Sequence, residues 1–253
     1  MRTALFDVDN YHLFVRSEVP FTKDDVYTTY FGNSESVVNH DVIVNDSLST
    51  IAKKLNEVYT KQYADAEERN RPDFAEYIRQ KAEKDWNGLD YFTLYSNIYS
   101  AMNMRVKLNL LGLDYVNNAS GNNSLIGERY GRKDKYAYSE YFNSSVRNAL
   151  LAQEHARWNA YHLLGEYLPL SKDGITVKSS DGEKVRFNVK NTAAKKHACL
   201  TTFSGLNELS SYLAQKAGNG RTAADYDYYV YDELLIISVE ELLNSLPYSV
   251  VEK

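Results

Sequence analysis

The sequence predicts a mainly α-helical protein with a small β-hairpin at residues 174–190. Apolar residues recur at helical spacing in several long segments after residue 46, and only the stretch ITVKSSDGEKVRFNV alternates clearly around an Asp-Gly turn. The chain has 253 residues, of which 43% are hydrophobic and 25% are charged. This composition is typical of a folded protein with one large core or two smaller cores.

The first part of the chain differs from the rest. Short apolar runs such as TALFDV, HLFV and DVIV alternate with turn residues there, which predicts short strands or an extended arm. One compact unit and two docked halves that meet near residues 115–135 are both compatible with the pattern. The regions we expect are an extended segment at 1–45, a helical segment at 46–135 and a C-terminal region at 136–253.

Helices are predicted in succession from residue 46 to residue 112. The first begins after an N-cap residue in the sequence NDS. The second is an exposed amphipathic helix with Pro72 in its first turn and with Phe74, Ile78 and Ala82 at four-residue steps on its apolar face. A third ends at Gly112, where Leu113 follows in the pattern of a left-handed glycine stop. The Asn-, Gly- and Ser-rich stretch NNASGNNSLIGERYGRKDK, residues 117–135, then predicts a long surface loop.

A long helix is predicted over residues 137–165. Its shared apolar face consists of Phe142, Val146, Ala149, Ala156, Ala160 and Leu163. The same helix carries the polar and aromatic run EHARW at residues 154–158. The structural interpretation of this run is packing, with Trp158 in the core and Glu154 and Arg157 as an ion pair within the helix. Ligand recognition is the functional interpretation.

The hairpin and the C-terminal helices follow from turn and capping patterns. A three-residue loop ending in a left-handed Gly182 would pair Val177 with Val185 and Ile175 with Phe187, whereas a two-residue turn would mix polar and apolar faces. After the hairpin, SGLNELSSYLAQKAG predicts a helix stopped by GNG. Two capping boxes, TAAD and SVEE, predict a helix behind Thr222 and a separate final helix behind Ser238.

Charge and cysteine usage exclude several classes of protein. The net charge of −5 gives no general attraction for a nucleic acid polymer or an anionic membrane, so we expect neither as a partner. A single cysteine, Cys199, excludes an internal disulfide and a thiolate zinc site, and it favours the cytoplasm. No segment approaches the ~18 uncharged apolar residues of a membrane span. We therefore expect no membrane segment.

The chain contains no recognisable catalytic motif. It lacks a G-x-S-x-G elbow, a glycine-rich phosphate loop and an H-E-x-x-H motif. His155 and His162 are two helical turns apart, which disfavours shared metal ligation because helix ligand pairs use one turn. We therefore predict no catalytic residue, no cofactor and no metal site.

A local excess of positive charge lies between residues 172 and 197. This segment has seven lysine and arginine residues against three acidic residues, a net charge of +4 in an acidic chain. One interpretation is a solvated hairpin whose lysines protect a strand edge. The other is an anion site, because the segment directly follows the helix that carries Trp158, and DYDYYVYDE further along supplies phenol rings for stacking.

Several of these segments resemble the RyR domain, a small helical module named after the repeats of ryanodine receptors. The resemblance is carried by LLAQEHARWNAYHLLGEYLP, KKHACLTTFSGL and YDYYVYDELLIISVEELL, and it covers roughly residues 45–250. Upstream, the chain is similar to the segment that precedes this domain in bacterial proteins of the TrkA-N/RyR type. The matching residues there are Trp86, Leu89, Ser96, Asn97, Lys107, Leu108 and Gly112.

The sequence also departs from the RyR pattern. Gly165-Glu166-Tyr167 stands where a Gly-Trp is usual, and Ile98 stands where an arginine is common. The Rossmann half of the bacterial relatives is missing, so we expect either a fragment of a larger protein or a stand-alone sensor.

The resemblance implies a recognition module without chemistry of its own, which senses a nucleotide-derived signal in phage defence or ion flux. We therefore expect a binding protein for a phosphate-bearing, nucleotide-like small molecule. The candidate ligand-binding residues are His155, Arg157, Trp158, Tyr161, Arg186, Lys195, Lys196, His197 and Tyr228. The alternative is a protein-interaction scaffold with tyrosine-rich oligomerisation faces, and a third hypothesis is a nucleotide-cleaving enzyme. A homo-oligomer is compatible with each.

Overall fold

A computed structural model describes most of the chain, and it is mainly α-helical with small sheets, as predicted. The described residues are 13–16, 28–31, 47–117, 125–130, 145–180, 185–218 and 220–253. The chain divides into two compact units, Met1–Thr50 and Ile51–Lys253. The predicted boundaries after residues 45 and 135 fall outside the described residues and stay predictions.

The described part of the first unit contains two short strands. Strand β1 (Leu13–Arg16) pairs in parallel with β2 (Thr28–Phe31), with Leu13 opposite Thr28 and Arg16 opposite Phe31. These strands agree with the prediction of short extended segments for this part of the sequence.

Helices make up the first half of the described chain after residue 46. Their bounds are α1 (Ser47–Tyr63), α2 (Ala66–Arg69), α3 (Phe74–Gly88), α4 (Tyr91–Met102) and α5 (Met104–Leu110). Helix α3 has the predicted inner face at Ile78 and Ala82, which are buried, while Phe74 is half-buried. It begins after Pro72, however, so the prediction that proline lies in its first turn is wrong.

The helix predicted up to Gly112 is interrupted. Helix α4 ends at the cap residue Asn103, and α5 restarts at Met104. Gly112 has a φ of 71°, so the predicted left-handed glycine is confirmed. Its carbonyl accepts a hydrogen bond from the backbone N–H of Lys253, which helps to hold the C-terminus against this turn.

The predicted long loop at residues 117–135 contains a helix in its described part, and a strand precedes it. Strand β3 (Leu113–Asn117) pairs antiparallel with the C-terminal strand β9 (Tyr248–Glu252), and a short helix α6 covers Leu125–Tyr130. Leu113 and Val250 are fully buried in this ladder. The loop prediction is therefore wrong for Leu125–Tyr130. The pairing of β3 with β9 was not predicted, because the C-terminal strand that supplies its hydrogen-bond partners is distant in the sequence.

The second half of the unit arranges helices around small sheets. Its elements are α7 (Ser145–Leu164), β4 (Leu168–Pro169), β5 (Thr176–Ser180), β6 (Val185–Asn188), β7 (Lys190–Asn191), β8 (Lys196–His197), α8 (Phe203–Ala217) and α9 (Tyr229–Asn244). Strands β4, β8 and β7 form one sheet in that order, while β5 and β6 form the predicted hairpin. The helix predicted over SGLNELSSYLAQKAG is confirmed as α8, which ends at Gly218 with a φ of 70°.

The register of the hairpin differs from the prediction. Val177 lies opposite Phe187 and Ser180 lies opposite Val185, with an irregularity between Val177 and Ser179. Phe187 packs against the Tyr226 ring, whose hydroxyl donates a hydrogen bond to the Val185 carbonyl. These contacts hold strand β6 against Tyr226. The register therefore depends on tertiary packing and not only on the match of apolar residues between the two strands.

The C-terminal helix α9 is continuous. A break behind Ser238 was predicted from a capping box, but the Ser238 hydroxyl donates to the Leu234 carbonyl one turn earlier. A serine that bonds back in this way is compatible with a helix interior and does not start a new helix. The Thr222–Asp225 capping box does form, at the start of a short 3₁₀ helix that covers Ala223–Tyr226.

Helix α7 has the opposite orientation to the one predicted. The described members of its predicted apolar face, Val146, Ala149, Ala156, Ala160 and Leu163, are all exposed. The buried face instead carries Leu150, Leu151, Glu154, His155 and His162. The prediction is wrong because charged and imidazole side chains find partners inside the protein. Phe142, the remaining member of that face, lies outside the described residues.

Candidate functional site

The inner face of α7 meets α5 and α9 at a buried ion-pair network. Glu154 is fully buried, and its Oε2 lies 2.8 Å from Lys107 Nζ of α5. Its Oε1 accepts from Arg157 Nε and Nη2 at 2.9 and 2.6 Å. Lys107 Nζ also donates to the Leu235 carbonyl of α9 at 3.1 Å. The network therefore ties three helices together.

Burial and charge act in opposite directions in this network. Burial alone would raise the pKa of Glu154, but the charges of Lys107 and Arg157 outweigh that effect and lower it. Burial lowers the pKa of Lys107, and Glu154 opposes the decrease. We take Glu154 as ionised, because two cations contact its carboxylate. Arg157 is therefore engaged by Glu154 and is not a free cation for a ligand.

His155 connects α7 to α9 and to the loop before α8. Its Nε2 lies 3.0 Å from the carbonyl oxygen of Thr201, so that nitrogen must carry a proton. Its Nδ1 lies 3.2 Å from Asp232 Oδ2. Burial raises the pKa of Asp232, and the hydrogen bond with His155 opposes this increase. Both ring nitrogens are occupied, so His155 has a structural role in this conformation.

Trp158 lies in a cluster of aromatic and imidazole rings on the next stripe of α7. The centroid of its ring is 3.8 Å from that of His162 and 4.9 Å from that of His197. Phe92 of α4 packs against His162 and Tyr167 at 5.1 and 5.0 Å. We call Trp158, His162, Tyr167, Lys190 and His197 the indole–imidazole cluster.

Strand pairing brings Lys190 to this cluster. Lys190 lies directly opposite His197 in the antiparallel pair β7–β8, and opposed residues project to the same face of a sheet. Lys190 Nζ lies 5.5 Å from the centroid of the Tyr167 ring. Lys196 is the next residue along β8, so its side chain projects to the opposite face.

The two imidazoles of the cluster are neutral near pH 7. Burial lowers the pKa of His162 to about 4, and it lowers the pKa of His197 to about 3, with Lys190 adding to both decreases. His197 Nδ1 accepts the backbone N–H of Cys199 at 3.1 Å. The proton of a neutral His197 is therefore on Nε2, which has no hydrogen-bond partner within the described part of the chain. The cluster thus combines a cation with a free N–H donor.

The predicted site residues fall into separate groups. Trp158, Tyr161 and His197 lie together. Trp158 contacts His197 directly, and Tyr161 is joined to the cluster through Phe92, because the Phe92 ring centroid lies 4.8 Å from that of Tyr161 and the same ring packs against His162. His155 and Arg157 are on the same helix but are held in the buried hydrogen-bond networks.

The other predicted residues lie apart from the cluster. Lys195 Nζ pairs with Glu166 Oε2 at 2.8 Å, and Arg186 is exposed on β6. Tyr228 belongs to a phenol cluster in which its ring lies 6.4 Å from Tyr231, and Tyr231 lies 5.7 Å from Tyr63.

Sequence reasoning did not select Lys107, Asp232, His162 or Lys190 as site residues. Lys107 and Asp232 carry no local signal, because their partners Glu154 and His155 lie on another helix that is remote in the sequence. His162 was considered only as a metal ligand. Lys190 was counted in the basic segment, and its position opposite His197 could have been found only from the pairing of two very short strands.

Two features are absent from the described residues. These residues contain no group of three or more His, Cys, Asp and Glu side chains that could hold a metal ion. No described helix combines the length and the apolar character that crossing a membrane requires.

The comparisons with known proteins leave the site without a relative. No protein-family model, curated protein or solved structure matches the chain.

Proposed function

We propose that the protein binds a phosphate-bearing, nucleotide-like small molecule at the indole–imidazole cluster and acts as a sensor. The RyR resemblance of residues 45–250 suggests the same class of function. Charge from Lys190, a hydrogen bond from His197 Nε2–H and contacts with the edges of Trp158 and Tyr167 would recognise the ligand. In this proposal Arg157 and His155 support α7 and do not contact the ligand.

The observation that carries the proposal is the placement of Lys190 beside two neutral imidazoles. Its ammonium group is close enough to lower the pKa of both His162 and His197. A phosphate accepts hydrogen bonds from ammonium and N–H donors, and such charge-assisted bonds are the strong ones. The aromatic rings next to these donors suit the flat part of a nucleotide.

Isothermal titration calorimetry with AMP, ADP, ATP, cyclic AMP, cyclic GMP and inorganic phosphate tests the proposal. We expect heat of binding with at least one nucleotide and weaker binding with phosphate alone. Lys190→Gln should weaken the binding about tenfold or more, since it removes a charge-assisted contact. Absence of heat with every compound would overturn the proposal.

Lys178→Gln is the matched control. Lys178 is exposed on β5 of the hairpin and its substitution removes the same charge. An equal loss of affinity in the two variants would show that the ligand responds only to the general positive charge of the segment, and it would also overturn the proposed site.

A protein-interaction scaffold is the second candidate function. The specific observation in its favour is a row of exposed side chains along α4, where Tyr91, Tyr95, Tyr99 and Met102 are 75%, 36%, 45% and 53% exposed. Large apolar surfaces of this kind are typical of interaction sites. Calorimetry separates the two functions, because a scaffold would give no heat with any nucleotide, whereas an oligomer detected by light scattering is compatible with either function.

A further inference from the structure

The outer face of α7 is apolar. Among residues 146–164, every exposed side chain is aliphatic, while the buried positions include Glu154, His155 and His162. The exposed residues are Val146, Ala149, Ala156, Ala160, Leu163 and Leu164. A helix at the surface of a protein normally shows the reverse distribution. We call this row, together with the half-buried Gln153, the outer seam of α7.

The spacing of the outer seam fits a second helix. Val146, Ala149, Gln153, Ala156, Ala160 and Leu163 are separated alternately by three and four residues. This 3.5-residue period keeps one line of side chains facing a partner helix along a left-handed coiled coil. Alanine in the middle of the seam allows two helix axes to approach closely, because the separation depends on the side chains at the contact.

The exposed row of α4 lies beside the outer seam. Helices α4 and α7 are neighbours, since Tyr99 lies 5.2 Å from Tyr161 and Gln153 Nε2 donates to Asn103 Oδ1 at 3.1 Å. The Tyr161 hydroxyl also donates to the Phe92 carbonyl. The phenol rings of Tyr91, Tyr95 and Tyr99 can therefore extend a contact that is centred on the seam.

The combined apolar area is close to what a stable dimer needs. Leu163 and Leu164 are 54% and 80% exposed, and the three tyrosines of α4 add about 300 Å² at the usual size of an aromatic side chain. The face as a whole then offers on the order of 600 Å² from each copy, against ~800 Å² per partner in a standard interface.

We propose that this face binds a second copy of the chain, with α7 packed against α7 of the partner about a two-fold axis. In the antiparallel arrangement Val146 opposes Leu163 and Ala149 opposes Ala160, so that each larger side chain caps one end of a close-packed centre. The face carries no charge, which allows two chains of net charge −5 to approach each other there. The dimer does not depend on the proposed ligand site.

A membrane surface fits this face less well. Interfacial helices carry lysine and arginine on their polar face, where they reach lipid headgroups. The polar face of α7 is instead buried in the protein, with Arg157 held by Glu154. A flat surface also gives no reason for the 3.5-residue spacing.

Analytical ultracentrifugation of the full chain over a concentration series tests the proposal. We expect a species of twice the 29.0 kDa chain mass for the natural sequence. The double variant Ala156→Glu, Ala160→Glu should sediment as a monomer, because it places carboxylates in the neutral seam of both copies. Both sites are exposed on the helix and glutamate is a good helix former, so far-ultraviolet circular dichroism should be unchanged.

Ala75→Glu is the matched control, since Ala75 is an exposed alanine of α3 and the variant should remain dimeric. A monomeric natural chain at every concentration, or a dimer that is equally stable in the double variant, would overturn the proposal. A monomer that binds vesicles of phosphatidylcholine and phosphatidylglycerol through the seam would overturn it in favour of a membrane. Nucleotide calorimetry on the double variant reports separately on the ligand site, whose residues it leaves unchanged.

Discussion

Lys107 and Glu154 form an ion pair in the interior of the protein. Lys107 Nζ lies 2.8 Å from Glu154 Oε2, and their side chains are 3% and 0% exposed. Such a pair is costly to create, because both charges lose water, and it is more costly to break, because one charge then remains buried without its partner. The pair joins α5 to α7, so the packing of these helices depends on it.

Glu154→Gln should therefore destabilise the protein by about 3–5 kcal/mol, since it leaves both Lys107 and Arg157 without a counter-charge. Chemical denaturation measures the free energy of unfolding. Glu76→Gln is the matched control, because Glu76 pairs with Arg79 at the same i, i+3 spacing but at an exposed site, where the loss should be at most ~1 kcal/mol. Equal losses in the two variants would contradict a stabilising role of the buried network.

The orientation of α7 shows where sequence reasoning reached its limit. Counting apolar residues placed Ala149, Ala156 and Ala160 inside and left Glu154 as a surface ion pair. The count fails because a buried charge is acceptable when its partners are present, and one partner, Lys107, is remote in the sequence. Alanine has so little apolar surface that it gives no strong preference for either side.

Capping and glycine patterns were more informative, because they depend on nearby residues only. The left-handed Gly112, the end of α8 at Gly218 and the Thr222–Asp225 capping box were all predicted. The capping patterns failed where they predicted a long helix directly behind Thr222, since α9 begins only at Tyr229, and a new helix behind Ser238. The strand pair β3–β9 was not, since its two strands are at distant positions in the chain. The site shows the same difference between local and distant contacts. The stacking of Trp158 on His162 follows from their spacing of one helical turn, but the approach of Lys190 to His197 depends on the pairing of β7 with β8.

The buried imidazole of His162 should make stability depend on pH. Its pKa is lowered from 6.5 to about 4, so below about pH 6.5 the unfolded chain takes up a proton that the folded chain does not. Stability should therefore decrease as the pH falls from 6.5 towards 4, by on the order of 2–3 kcal/mol.

The comparison of pH 7 with pH 5 limits the contribution of carboxylates, most of which stay ionised there, and His197, whose pKa is also lowered, remains present in both the natural chain and the His162 variant. His162→Gln should lower the free energy of unfolding at both pH values through lost packing, but the difference between them should become smaller. An unchanged difference in the variant would show that His162 does not titrate on unfolding as expected.

Cys199 should react slowly in the folded protein. Its side chain is buried, and burial raises the pKa of the thiol above its ordinary value, so little reactive thiolate is present. Alkylation by iodoacetamide, followed by mass spectrometry, should be slow under native conditions and fast in denaturant. Fast alkylation of the native chain would show that the segment around Cys199 opens readily.

Gly165 is the point at which α7 ends against α4, and its lack of a side chain is required there. A Cβ at this position would overlap the ring of Phe92. That ring cannot move easily, because it packs between Tyr161 and Tyr167 at centroid distances of 4.8 and 5.0 Å. Gly165→Ala should therefore destabilise the protein by about 1–3 kcal/mol. Gly88→Ala is the control, since no atom lies within 4 Å of the added Cβ and alanine favours the helix, so the variant should be neutral or slightly more stable. A Gly165→Ala variant as stable as Gly88→Ala in thermal unfolding would contradict this close contact between α4 and α7.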